Sequence, residues 1–262
     1  MRWDFARRPK WIARHVAVAA LVVTMILLGF WQLRRLDEKR DHKALVEARQ
    51  EAPAAPITEV VPAVGDVDDA LHRAVTAEGT YQDDDTVVVE NRTLNGASGG
   101  WVLTPLLLEG EDTAVVVNRG FIGFDRDGRI VPPPAPQGRV EVEGLVQPTQ
   151  SRGRIGPRDP DEGRLEVLAR VDVARLAAQV DYELLPAYVQ LVASDPPEPV
   201  AEPGAPALVA LGRPSPEEGP HLSYAVQWFT FTTIAVVGYA VLLRHVAQQP
   251  VADEEPAVAR EG

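Results

Sequence analysis

The sequence predicts a membrane protein with two transmembrane helices flanking an α+β, mostly antiparallel β domain, built as a sheet or a partly open barrel. Three observations predict it: a long uncharged apolar run near each end, short β-branched segments between them punctuated by Gly, Asp and Pro, and a single clear amphipathic helix in that middle. The 262 residues are 45 % hydrophobic, with 26 Lys+Arg against 38 Asp+Glu, a formal net charge of -12 and no cysteine. Without cysteine there are no disulfides, thiolate nucleophiles, iron–sulfur clusters or thiolate metal sites. An acidic balance argues against nucleic acid as a partner, because phosphates reward clustered Lys and Arg.

Residues 1–13 form a basic N-terminus, and Arg2, Arg7, Arg8, Lys10 and Arg14 precede the first apolar run. Residues 14–34 read as the first transmembrane helix: Val16 to Trp31 carry no charge, and a helix from Trp11 to Leu33 would be roughly 34 Å long against a hydrocarbon core of about 30 Å. That run ends in Phe30-Trp31-Gln32-Leu33-Arg34 and lacks a small-residue cleavage site, so it reads as an uncleaved anchor. Residues 35–70 are a juxtamembrane segment and linker, rich in Pro and Asp from residue 52 onward.

Residues 71–194 form the β-rich domain. Strands are expected at Ala74–Ala77, Thr86–Glu90, Val102–Leu108, Thr113–Asn118, Val140–Val146 and Ala187–Val192. Asp172 to Val180 has an N-cap candidate and apolar residues at helical spacing. Thr86 to Gly96 and Thr113 to Gly123 repeat one pattern, Thr through a Val-rich strand to Asn-Arg and Gly, which predicts two adjacent strands with Arg92 and Arg119 on the rim of a sheet. Residues 195–220 are a linker with eight Pro, a semi-rigid extended strut, with Pro220 at the first helical position.

Residues 221–243 are the second transmembrane helix. Leu222 to Leu243 is uncharged but holds Ser223, Gln227, Thr230, Thr232 and Thr233, so this helix is expected to face something other than lipid. Residues 244–262 read as a tail, polar and unfolded after Gln248. Two spans put both termini on one side of the membrane and the middle, at a net charge of -14, on the other. Five Lys and Arg stand on each side of the first span, so the positive-inside rule does not choose the side.

Catalytic signatures are missing: there is no nucleotide-binding Gly loop after a strand, no Gly-x-Ser-x-Gly elbow and no His-x-x-x-His pair, and an enzyme is not expected. Among the histidines, His221 alone starts an apolar helix. Seven residues on, Trp228 returns to within roughly 20° of the same face, about 10 Å deeper. Such an imidazole could ligate a haem iron; equally, the pair could belong to the interfacial polar-aromatic belt. Arg92 and Arg119 invite an anionic partner such as a propionate, or an ion pair with a nearby carboxylate.

Four stretches together resemble the surfeit locus protein 1 family of cytochrome oxidase assembly factors. Gly29, Trp31, Gln32, Leu33, Arg35 and Lys39 match at the exit of the first span, Gly99, Gly100, Trp101, Thr104 and Pro105 in a central strand, Val117, Asn118, Arg119 and Gly120 in a second central motif, and His221, Leu222, Tyr224, Ala225, Gln227 and Trp228 at the start of the second span. The resemblance implies a bacterial member in the plasma membrane, both termini cytoplasmic and the central domain extracytoplasmic. It implies a non-catalytic, chaperone-like role in respiratory complex IV biogenesis, binding or transferring haem a for subunit I, with that subunit and haem a synthase as partners. It maps haem contact to His221 and Trp228, with His221 as the ligand of the iron and Trp228 packed on the macrocycle. An accessory or docking subunit of the oxidase that binds no haem is the alternative.

Overall fold

The computed structural model describes residues 3–62, 66–154, 156–201, 203 and 205–249. The expected C-terminal tail lies outside the described residues from residue 250 onward. The chain divides into two compact units, Met1–Lys43 with Pro216–Gly262, and Ala44–Ser215.

In the second unit, eight strands join one mixed sheet among the described residues: β1 (Ala55–Pro56), β2 (Ala74–Tyr81), β3 (Val87–Leu94), β4 (Ala97–Leu108), β5 (Thr113–Gly123), β6 (Arg139–Pro148), β7 (Val167–Leu168) and β8 (Glu183–Asp195). Strand β6 lies antiparallel beside β2, β4 pairs with both β2 and β5, and β8 fits between β5 and β6, parallel to β5. The pairing of Gly79 to Tyr81 with Leu108 to Leu106 closes these five strands into a ring. A Cβ on Gly79 would lie 2.1 Å from the Leu107 carbonyl oxygen, so a side chain there would push the closing strands apart.

The antiparallel pairings expected from the sequence dominate, and three parallel ones, β1·β2, β3·β7 and β5·β8, make the sheet mixed. The two repeated segments are not neighbours as expected: they are β3 and β5, and β4 runs between them. The twelve residues of β4 serve two partners on one edge, β3 at Ala97 to Leu103 and β2 at Leu106 to Leu108.

Alternation along the strands builds a core on each face. Val75, Leu106, Val115, Val117, Val142 and Val189 belong to the core on the ring's inner face. Val89, Leu103, Val116 and Tyr188 form a second core with Val173 and Leu176 of the short helix α3 (Val173–Ala177). Val115 and Val117 point one way and Val116 the other, so β5 is buried on both faces. Asp172 caps α3 as its position predicts, accepting a hydrogen bond from the Arg175 N–H at 3.0 Å. One more short helix, α2 (Ile57–Val60), adds Ile57 and Val60 to the inner core.

Among the described residues, two helices are long and apolar enough to cross a membrane, α1 (Pro9–Glu51) and α4 (His221–Gln248). Helix α1 continues without a break through residues 35–51, where a juxtamembrane linker was expected; no Pro or Gly interrupts that stretch and its Arg, Lys, Glu, Leu and Ala residues are good helix formers. In the first unit α4 runs antiparallel to α1. Tyr239 Oη meets His15 Nδ1, Phe229 packs edge-on to Phe30 at 5.5 Å, and His221 meets Gln32. Gly29 makes the crossing close, since a Cβ there would lie 2.7 Å from the Phe229 ring.

Candidate functional site

His221 is the first residue of α4, after Pro220, which stands at the N-cap, one position earlier than expected. The Pro220 carbonyl accepts from the Tyr224 N–H at 3.1 Å, and the unbroken helix carries Ala225 and Trp228 round to the face of His221. Ala225 is buried, while His221 and Trp228 are half-buried. Trp228 stands edge-on to Phe231 with ring centroids 6.3 Å apart, and Thr232 donates to its carbonyl.

His221 Nδ1 lies 2.8 Å from Gln32 Oε1. That oxygen accepts from Nδ1–H, and in the neutral imidazole this tautomer leaves the lone pair on Nε2. Nε2 has no hydrogen-bond partner among the described residues and lies beside Gly219, which presents no side chain to it. An imidazole held through Nδ1–H with a free Nε2 is the arrangement of a metal-ligating histidine. The residues present therefore suit an axial ligand to haem iron. Gln32 stands in the motif at the exit of the first apolar run, but its contact with a residue 189 positions away leaves no local sequence signal.

The sequence-predicted arginines go to different faces of the sheet. Arg119 sits inside β5, not on its rim, at a bulge opposite Val102 and Leu103, with its side chain fully buried. Its Nε and Nη2 grip Glu198 at 3.0 and 2.6 Å, and Nη1 and Nη2 donate to the Pro133 and Pro134 carbonyls, each at 3.1 Å. The guanidinium also lies 5.7 Å from the Tyr81 ring of the inner core. Burial pushes the Tyr81 phenol up from its ordinary pKa, Glu198 adds to the rise and Arg119 opposes it. Arg119 thus finds its anion within the chain, the ion-pair alternative of the two that the sequence left open.

Glu198 belongs to the Pro-rich run. That run is no free strut: Phe121 and Val209 exchange N–H···O bonds of 2.8 and 2.7 Å, Gln190 donates to the Gly212 carbonyl, and Gln50 donates to Pro214. Gly120 adopts φ +145°, and a Cβ there would lie 2.6 Å from the Val209 carbonyl oxygen. The Asn118-Arg119-Gly120-Phe121 motif is the clasp that fastens this strap to the domain.

Arg92, on β3, lies 4.4 Å above the Trp101 ring and donates from Nη2 to Gln150 Oε1 at 3.2 Å. Trp101 belongs with the outer core, so Arg92 and Arg119 do not share a ligand. Burial lowers the Arg92 pKa, and Tyr188 opposes that shift. The Tyr188 phenol is itself raised to about 12 by burial, with Arg92 pulling it down.

These features define a protein in which a closed β domain is flanked in the sequence by two long apolar helices that contact each other, with an oriented histidine where the second begins. The SURF1 family model matches residues 19–233, and the chain belongs to that family. A SURF1-like protein of Mycobacterium tuberculosis is 28 % identical over 242 residues, covering 90 % of this chain and 84 % of the relative. One of Rickettsia felis is 22 % identical over 234 residues, 88 % of this chain and 97 % of its own. The cytochrome oxidase assembly protein SHY1 of Saccharomyces cerevisiae is 26 % identical over 183 residues, 66 % of this chain and 46 % of that protein.

Proposed function

We propose that this chain is a non-catalytic assembly factor for the haem–copper cytochrome c oxidase, anchored in the bacterial plasma membrane by α1 and α4, and that it holds haem a on its way to subunit I. Family membership and the assembly role in the name of the yeast relative support the oxidase connection. The observation that carries the haem reading is the His221–Gln32 hydrogen bond, which engages Nδ1 and leaves Nε2 without a hydrogen-bond partner among the described residues. Haem bound here would supply an iron that His221 Nε2 would hold. The chain's own part is to fix the His221 tautomer through Gln32 and to present the Trp228 indole on the same helical face as an apolar surface for the macrocycle. Both termini are cytoplasmic in this reading and the β domain is outside, where subunit I and the haem a synthase are its partners.

The test is the absorption spectrum of the detergent-purified protein from cells making haem a, beside His221→Ala, with oxidase content measured in cells lacking the chain. Soret and α bands lost in the variant, together with depleted oxidase, are expected. Depleted oxidase with no band in either protein would replace the haem carrier by a docking factor that binds protein only. Unchanged oxidase content would overturn the assembly role.

A further inference from the structure

Helix α4 turns one face to α1 through His221, Ala225 and Phe229. At 100° per residue, Ser223, Gln227 and Thr230 cluster on the other side, and all three are exposed. The Thr230 hydroxyl is satisfied within its own helix, donating to the Val226 carbonyl at 2.8 Å. The Gln227 carboxamide, with two donor hydrogens and an acceptor oxygen, has no partner among the described residues. Gln227 is the sixth residue of the uncharged run from Leu222 to Leu243, about 8 Å into the hydrocarbon if the run begins at its boundary. An unpaired amide in hydrocarbon is costly, and polar side chains in membrane helices find partners on other helices.

We propose that α4 pairs with the α4 of a second copy of this chain, their Gln227 carboxamides hydrogen-bonded to each other across a two-fold axis normal to the membrane. A carboxamide is self-complementary: the N–H of each donates to the C=O of the other. A second copy in the same orientation brings its Gln227 to the same depth, as an isologous contact requires. Ser223 and Thr230, about one turn to either side, are small enough to let the backbones approach. This face points away from His221, so pairing leaves the proposed haem ligand free. The inference rests on α4 crossing the membrane.

The chain has no cysteine, so one introduced thiol reports a single position. Ser223→Cys and Thr230→Cys, each oxidised in native membranes, are expected to give a disulfide-linked dimer several-fold more than Val236→Cys, which is exposed half a helical turn from Gln227. Adding Gln227→Leu is expected to abolish the difference. Equal yields at the three positions, indifference to Gln227→Leu, or a cross-link to a different protein would each overturn the pairing. Carbonate washing of the same membranes separates the two readings. A chain that resists carbonate but shows no face-selective cross-link refutes the pairing and leaves the anchored assembly factor standing, while a chain released by carbonate removes the anchored reading and the pairing with it.

Discussion

Arg119 carries its charge inside the domain, and Glu198, 79 residues away, is what neutralises it. Breaking a buried ion pair costs more than the pair contributes, because the remaining charge is stranded. Arg119→Met is therefore expected to destabilise the domain by about 3 kcal/mol. In thermal melting of the solubilised chain that is a drop on the order of 10 °C for a domain of this size. The double variant Arg119→Met with Glu198→Gln should recover much of that loss; a double variant as unstable as the single one would place the cost in lost packing. A second residue-scale expectation concerns Gln32. If it orients a ligand, Gln32→Leu should weaken haem retention about 10- to 100-fold while leaving the protein folded, as read by haem titration beside far-UV circular dichroism.

At the scale of elements, the strap formed by the Pro-rich run depends on a glycine. A side chain at Gly120 would meet both an unfavourable backbone conformation and the Val209 carbonyl oxygen. Gly120→Ala should break the Phe121–Val209 bridge, and faster proteolytic nicking within residues 196–215 at an otherwise intact domain would report it. The strand centres of β2 to β6 and β8 and the capped helix α3 were legible in the sequence, because β-branched runs, turn residues and an N-cap are local signals. The strap was misread because its anchors, Arg119 and Phe121, belong to another element, and Pro content alone describes an unattached segment. The two-residue strands β1 and β7 had no pattern long enough to find. The His221–Trp228 face was legible from helical spacing, whereas Gln32 and Glu198 were not, since each reaches its partner across a long stretch of chain.

At the scale of the molecule, the proposed topology makes a prediction that the missing cysteines make clean to test. A membrane-impermeant maleimide applied to intact spheroplasts should label Ser151→Cys in the β domain and spare Gln249→Cys beyond α4 until the membrane is opened. The reverse pattern would invert the orientation; labelling of both in intact cells would put the termini on opposite sides. The shared edge of β4 bears on the behaviour of the domain as a whole. Because its first half is laddered to β3 and its last residues close the ring on β2, neither the hairpin nor the ring can come apart without disturbing the same strand. Amides along β4 should then exchange with solvent only when everything else has let go, which makes this strand the slowest clock in the protein and the place where its cooperativity is written.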